Sequence, residues 1–328
     1  MKFLPQQPNQ ILLPETTPKK SWWRIFFTRQ MLGRGALVLA VFFIGIFVSV
    51  IYYQISEKKL TESPKKFLAQ IYNLNKQKDV LFPAVEIKAK AGVVYDLTTE
   101  KILYSKNSQQ ALPLASITKL MTALIVKKTL NQTDLVTFID ENNKQEAWRP
   151  KELSDYTLVG SSNIGARALA MASANKINRN FVELMNQEKE KLGLSTLRFQ
   201  NETGLDQTGT MAGGYGSALD VAKLHGYIVK NYPELTEATN QTAIGRNDTQ
   251  ENRYVAINTN YAIDQLPGLI SSKTGTTPLA GANLSIIFDV GLNHPVAIVI
   301  LGSTEEERFN DTQKLAGATV AYFAEGGK

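Results

Sequence analysis

The distribution of apolar and polar residues divides the chain into unlike stretches. Residues 1–34 open with a Pro- and Gln-rich run to about position 21 and read as a disordered tail. From Gly35 to Ser56 no residue is charged, and Ala36–Tyr53 is almost wholly apolar. About 20 such residues span a bilayer core, so 35–56 is expected to be a transmembrane helix. Trp22, Trp23, Phe26 and Phe27 on one side, and Tyr52 and Tyr53 on the other, suit interfacial aromatic belts. A cleaved signal peptide would need a shorter leading region, a shorter apolar core and small residues at a cleavage site, whereas this core ends in Val-Ile-Tyr-Tyr-Gln. Residues 57–80 are charged and read as a helical or flexible stalk.

Residues 81–328 carry the alternating and helical patterns of one globular unit. Ala91–Asp96 and Lys101–Tyr104, separated by Leu-Thr-Thr-Glu, read as a hairpin. Ile117, Leu120, Met121, Leu124 and Ile125 recur at helical spacing, which predicts a helix over Ser116–Leu130. Further helices are predicted near 163–174, 180–192, 217–230 and 309–324. Strand-like runs fall at Tyr254–Asn258, Leu269–Thr274, Leu284–Val290 and Val296–Leu301. Strands therefore open the unit, helices fill its middle, and strands with a last helix close it. Late strands joined by short links imply an antiparallel sheet, and the fold class is α+β with first and last segments sharing one sheet.

Charge and composition remove several functions. The chain has 36 basic and 30 acidic residues, but six of the bases and only one acid lie in 1–56, leaving 30 against 29 for the remainder. The basic pI is thus a property of the tail, and no nucleic-acid partner is expected. The absence of cysteine excludes disulfides, thiolate-held metals and thiol catalysis. Only His225 and His294 are present, so a multi-histidine metal site is not expected, and a Ser-His-Asp triad would have to use one of the two. Positive residues near the apolar span tie, with Lys20, Arg24, Arg29 and Arg34 before it and Lys58, Lys59, Lys65 and Lys66 after it. A short leading tail usually stays inside, which favours a cytoplasmic N-terminus.

Three short patterns could carry chemistry: Ser116-Ile-Thr-Lys119, Ser161-Ser162-Asn163 and Lys273-Thr274-Gly275. Ser-x-x-Lys recurs at Ser56, Ser63 and Ser173, and Ser-x-Asn at Ser105 and Ser173, so context must lift the first two; Lys-Thr-Gly occurs once. Three residues apart on a helix, Ser116 and Lys119 lie one above the other. Serine becomes a nucleophile when a base takes its proton, and a lysine desolvated beside a second cation can be that base. Lys273 could be that cation, and the helix N-terminus offers N–H groups to an oxyanion. The plain alternative is a capping Ser116 and a solvated Lys119. Ser161 and Asn163 could supply a proton relay and an amide for a substrate carbonyl, or could simply cap a helix. Lys273 and Thr274 suit a carboxylate, with Gly275 letting a substrate backbone approach; the alternative is an ordinary strand end.

Taken together, the ordered motifs resemble the penicillin-binding proteins and serine β-lactamases, and more closely the low-molecular-mass D-alanyl-D-alanine carboxypeptidases. Ala115-Ser-Ile-Thr-Lys-Leu-Met-Thr-Ala-Leu124 is similar to that family's nucleophile segment. Lys273-Thr-Gly-Thr-Thr-Pro-Leu-Ala-Gly281 fits its extended KTGxTxxAG pattern. Phe199-Gln-Asn-Glu-Thr-Gly-Leu205 and Ser217-Ala-Leu-Asp-Val-Ala-Lys-Leu224 resemble its following segments. The resemblance covers roughly 85–325 and implies a serine β-lactamase/DD-peptidase fold, an antiparallel sheet flanked by helices with a helical subdomain. It implies that Ser116 forms an acyl-enzyme with the penultimate D-Ala of a peptidoglycan stem peptide. Lys119 would be the base, and Ser161 would relay a proton to the leaving amine. Asn163 would hold the substrate amide and steady Lys119, while Lys273 and Thr274 bind the terminal carboxylate. The N–H groups of Ser116 and Thr276 would form the oxyanion hole, and Arg253 would match a substrate-side arginine. β-Lactams would be covalent inhibitors, and no metal or organic cofactor is needed.

Three departures from the family pattern bear on function. Ser162 stands where the family usually has Gly or Asp. The Ser116–Ser161 span is shorter than usual, so the loop shaping the cleft is expected to be reduced. The family's C-terminal β-domain and amphipathic anchor have no expected counterpart, and the N-terminal span would replace the anchor. An enzyme acting on cell-wall peptide then needs its catalytic unit outside the cell membrane, single-pass, with the N-terminus inside. A DD-endopeptidase shares every motif. A β-lactamase would need a deacylating Glu in an E-x-x-L-N stretch, which is absent. A non-catalytic sensor of penicillin or wall peptide would have lost a motif residue, and none is lost.

Overall fold

Strand β1 (Ala91–Asp96) is buried at all six positions, the signature of a strand covered on both faces. In this computed structural model, which describes residues 42–55, 80–140, 142–291 and 293–327, β1 lies near the centre of a five-stranded antiparallel sheet. Its neighbours are β2 (Ile102–Lys106) and β12 (Pro295–Ser303), followed by β11 (Gly281–Asp289) and the edge strand β10 (Leu269–Thr277). Register pairs Val93 with Val299 and Ile286 with Ile298. The first and last segments of the unit therefore share one sheet, as the strand pattern implied.

Alternation sorts the strand residues onto two cores. Val93, Tyr95, Val299 and Leu301 join a cluster with Leu120 and Leu124 of helix α1 (Lys119–Thr129) and Val221 and Leu224 of α5 (Ala218–Asn231). Val94, Ile286, Ile298 and Ile300 face the opposite way and pack with Leu315 of α6 (Glu307–Ala324). Each fully buried side chain of this size contributes about 1.5–3 kcal/mol, so the sheet is held from both sides. Asp311 of α6 is fully buried and accepts from Lys88 N (3.0 Å) and Ala89 N (2.9 Å), pinning the entry to β1.

The middle of the chain forms α2 (Pro150–Gly160), α3 (Asn163–Ile177) and α4 (Phe181–Lys191). The predicted helices at 163–174, 180–192, 217–230 and 309–324 are all present, with ends that match or shift by at most three residues. Helix α2 has no counterpart among the predicted helices, although Pro150 at its first turn is a start signal. The Ser116–Ser161 span also holds a hairpin, β4 (Val136–Ile139) with β5 (Gln145–Trp148). Trp148 is fully buried, donates to Glu146 Oε2 at 2.7 Å, and packs against Tyr156 and Tyr254. A second hairpin pairs β8 (Ala243–Asn247) with β9 (Arg253–Ile257). Short strands β3 (Leu112–Pro113), β6 (Arg198–Phe199) and β7 (Gly214–Gly216) make a small three-stranded sheet.

The chain divides into two units, Met1–Lys78 and Asp79–Lys328. In the first, residues 42–55 are helical with exposed apolar side chains, Phe42, Phe47 and Ile55 among them. The rest of the expected 35–56 span, the 1–34 tail and nearly all of the 57–80 stalk lie outside the described residues. Among the described residues no helix is long and apolar enough to cross a membrane.

Candidate active site

The turn carrying Ser116 is a short 3-10 segment, Ala115–Thr118, that runs directly into α1. The expected single helix from Ser116 is thus a tight turn followed by a helix. Asn283 of β11 donates to Pro113 O and Leu114 O, both at 3.0 Å, and accepts from Gly302 N, tying this turn to the sheet. Ala115 sits at φ 49°, a left-handed conformation that costs a non-glycine residue about 1–2 kcal/mol. Its surroundings impose it. Gly204 (φ 80°) lies so close that a Cβ there would come within 1.9 Å of Ala115 O. Gly275 of β10 is also crowded: a Cβ would stand 2.8 Å from Leu114 O and 2.9 Å from Ser116 N. The expectation that Gly275 makes room for a substrate backbone is therefore corrected. The backbone it admits is the protein's own, and it brings the Lys-Thr-Gly strand against the Ser116 turn.

Lys119 is fully buried, with its Nζ 2.7 Å from Ser116 Oγ, 2.8 Å from Asn163 Oδ1 and 2.8 Å from Thr203 O. Burial holds its amine down at about 7; the Glu202 carboxylate opposes the shift and the Arg167 guanidinium reinforces it. Near neutrality the uncharged form is therefore well populated. A neutral amine has two N–H groups and one lone pair. Asn163 Oδ1 and Thr203 O can only accept, so they take the two N–H groups. The lone pair is left facing the one partner that owns a proton, the Ser116 hydroxyl. This is the arrangement a general base needs.

Ser161 ends α2 at φ 58°, a position that favours Gly or Asn. It holds its hydroxyl 3.0 Å from Lys273 Nζ, which also donates to Thr274 O at 2.9 Å. Ser162 is the N-cap of α3, its Oγ accepting from Gly165 N at 3.0 Å, which explains a serine at that departure from the family pattern. The capping alternative thus holds for Ser162 and leaves Ser161 and Asn163 free for other contacts. Lys273 is buried, and its amine lies well below its ordinary range because of burial and the charges of Lys119 and Arg308. The hydroxyls of Thr274 and Thr259 are 2.5 Å apart. The structure thus brings together Ser116, Lys119 and Asn163, and beside them Ser161, Lys273 and Thr274.

Thr276 leads to a residue the sequence reading missed. Its Oγ1 accepts from Arg308 Nη1 at 2.8 Å. Arg308 is only 6% exposed, its Nε has no hydrogen-bond partner, and the Glu305 carboxylate acts on it without forming an ion pair among the described residues. It lies in the first turn of α6, where the helix dipole disfavours a cation. A cation placed against a dipole, next to the end of a β-strand, is the signal that could have found it. Asn201 was also missed. Its Oδ1 accepts from Thr203 N, Thr203 Oγ1 and Gly204 N, fixing the loop that presents Thr203 O to Lys119.

Other candidates lie elsewhere. Arg253 starts β9 with its guanidinium over Gly245, across the hairpin; the site residue from that region is Thr259. His225 is buried between Ser271 and Ser285, at 2.7 and 2.8 Å, and burial pulls it down to about 3. His294 pairs with Asp96 at 2.9 Å. The hydroxyl of Ser116 meets a lysine instead, which removes the Ser-His-Asp alternative. Among the described residues no group of three or more His, Asp and Glu side chains is placed to hold a metal ion.

With this geometry in hand, the sequence pattern of the D-alanyl-D-alanine carboxypeptidase peptidases matches residues 76–305. The chain belongs to this family. Among its curated relatives is the D-alanyl-D-alanine carboxypeptidase DacF of Bacillus subtilis, 29% identical over an alignment of 243 residues that covers 70% of this chain and 61% of that protein. A D-alanyl-D-alanine endopeptidase of Haemophilus influenzae is 30% identical over 212 residues, covering 61% of this chain and 70% of that one. The chain therefore spans about three-fifths of the length of the carboxypeptidase relative, 61%. Among solved structures, penicillin-binding protein D2 of Listeria monocytogenes, in its ampicillin-bound form, superposes with a TM-score of 0.63 at 26% identity, over 72% of this chain and 98% of that one. The family fold, an antiparallel sheet flanked by helices, is the one seen here.

Proposed function

We propose that the protein is a serine-type D-Ala-D-Ala carboxypeptidase that removes the terminal D-alanine of peptidoglycan stem peptides. The observation that carries this reading is the buried Lys119 amine, held near neutrality and aimed at the Ser116 hydroxyl. Lys119 takes the Ser116 proton as Oγ attacks the carbonyl of the penultimate D-Ala. The N–H groups of Ser116 and Thr276 receive the oxyanion. The Ser161 hydroxyl, bound to Lys273, hands a proton to the departing amine of the last D-Ala. Water then cleaves the acyl-enzyme and restores Ser116.

Lys273, Thr274 and Thr276 bind the substrate carboxylate, and Arg308 backs them. Two amines as close as Lys119 and Lys273 resist being protonated together. A carboxylate arriving at Lys273 stabilises the proton there. That leaves Lys119 as the uncharged partner, so substrate binding favours the state that reacts. Asn163 holds Lys119 and offers its amide N–H to the substrate carbonyl.

Residues 35–56 anchor the protein in the cell membrane, with the 1–34 tail inside and the catalytic unit outside where its substrate lies. The apolar, exposed helical stretch at 42–55 supports this placement. β-Lactams, which mimic the terminal dipeptide, acylate Ser116. An endopeptidase acting on cross-links would use the same groups, and the similarity to a relative of that name keeps it as the second reading.

The test is mass spectrometry of the detergent-solubilised protein after benzylpenicillin, with defined pentapeptide and cross-linked dimer as competing substrates. A single acyl adduct, absent in Ser116→Ala, together with D-alanine release from the pentapeptide, is expected. Persistence of the adduct in Ser116→Ala would sink the reading; cleavage of the dimer alone would select the endopeptidase.

A further inference from the structure

The two acceptors that hold Lys119 sit on two separate walls, and each wall also carries a charge. Asn163 begins α3, and Arg167 lies four residues later, one turn along the same face. Thr203 directly follows Glu202 in the loop fixed by Asn201. Glu202 is anchored through its own carbonyl, which accepts from Thr122 Oγ1 at 2.6 Å, one turn beyond Lys119 on α1. Across the gap Arg167 Nε and Glu202 Oε1 are 3.8 Å apart, with the carboxylate side chain 21% exposed and the arginine 59%. Glu202 therefore carries a carboxylate on the residue next to the one whose carbonyl holds the Lys119 amine, and a carboxylate there favours the ammonium that cannot act. An opposed guanidinium counters this.

We propose that the Arg167–Glu202 ion pair trims the base: Glu202 keeps a proton on Lys119 at acid pH, and Arg167 offsets that pull so that acylation begins near neutrality. Both act through Lys119 and are positioning residues. The inference rests on Lys119 being the base. The charges acting on the Lys119 amine have the signs this requires, Glu202 raising and Arg167 lowering. The remaining charged groups facing it are Lys273 of β10 and, beyond that, Arg308 of α6. Charges on the other elements packed against α1 are satisfied locally. Glu188 of α4 pairs with Lys128 and Glu234 with Lys127. Asp155 of α2 is held by Lys151 and Arg246. Asp220 of α5 accepts from Thr196, and His225 is bound between two serines.

The experiment is the pH profile of acylation by fluorescent penicillin. It is measured for the full-length protein and for Glu202→Gln, Arg167→Gln and the double variant, each normalised to its own alkaline plateau. On the acid limb, Glu202→Gln is expected to run about threefold faster and Arg167→Gln about threefold slower than wild type, half a pH unit either way. The double variant returns to within about twofold, and added salt shrinks both single effects. A merely structural role would lower plateaus and leave the limbs superimposed. That result overturns the inference, as would limbs that move in the same direction. A flat wild-type profile would instead overturn Lys119 as base, and the inference with it.

Discussion

Arg308 offers a separable test, because its removal should harm function and spare the fold. In Arg308→Met the side chain keeps much of its length and its contact with the Phe309 ring, over which the guanidinium now lies at 4.6 Å. The variant loses one hydrogen bond to Thr276, worth about 1 kcal/mol. It also loses a cation–π contact worth about 0.5–1 kcal/mol. Against this, it relieves a desolvated charge with an unsatisfied Nε and no carboxylate partner, a burden of about 1–3 kcal/mol for the unsatisfied group alone. These contributions offset to within about 1 kcal/mol, so the melting temperature should stay within about 2–4 °C of wild type for a domain of this size. Function, in contrast, falls. A hydrogen bond between charged groups contributes about 1.5–3 kcal/mol, so kcat/KM for a D-Ala-D-Ala substrate with a free carboxylate should fall about 10- to 100-fold. The matching C-terminal amide lacks that charge and should lose less than about threefold. The assay compares acid and amide substrates by D-alanine or D-alaninamide release, beside a thermal melt. Equal losses on both substrates, or a melting temperature that drops by several degrees, would refute the argument that Arg308 awaits an anion.

Three further outcomes follow from the same geometry. Ser116→Ala should abolish labelling by fluorescent penicillin while leaving the melting temperature within a few degrees, since Ser116 is only partly buried. Gly275→Ala forces a methyl to within 2.9 Å of backbone atoms of the Ser116 turn. It should cost about 1–3 kcal/mol in denaturant unfolding and suppress acylation more than it suppresses folding. His225, depressed to about 3 by burial, binds a proton in the unfolded chain at a pH where the folded one refuses it. Its contribution is therefore intact above about pH 6.5 and drains away as pH falls toward 3, a loss of several kcal/mol that His225→Gln should flatten in urea titrations at stepped pH.

Much of the fold was written in periodicity. The runs of β1, β11 and β12 are largely apolar on both faces because both are covered, and such runs stand out in a sequence. Among the elements that escaped were β4, β5 and β8, four or five residues each, whose exposed positions dilute any alternation, and β3, β6 and β7, too short to show one. Helix α2 escaped because seven of its eleven residues are buried, among them Ser154, Asp155 and Thr157, so polar side chains point inward and blur the stripe.

The site divides along a similar physical line. Ser116, Lys119, Ser161, Asn163, Lys273 and Thr274 were legible because their chemistry travels in short fixed spacings. Local geometry makes each spacing: one helical turn for Ser116 and Lys119, a two-residue helix junction for Ser161 and Asn163, and one strand for Lys273 and Thr274. Arg308, Thr203 and Glu202 were not, because they act through tertiary placement. Thr203 contributes only a carbonyl, which every residue owns. Arg308 matters because the chain buries it without giving it an ion pair, Glu305 acting only from a distance, and an unmade pair leaves no mark in a sequence. The same reasoning separates Arg253 from Thr259. An arginine drew attention by its charge, yet the fold turns it across a hairpin and sends a neutral hydroxyl to Thr274 instead. Residue type therefore located the reaction, and burial located the groups that tune it.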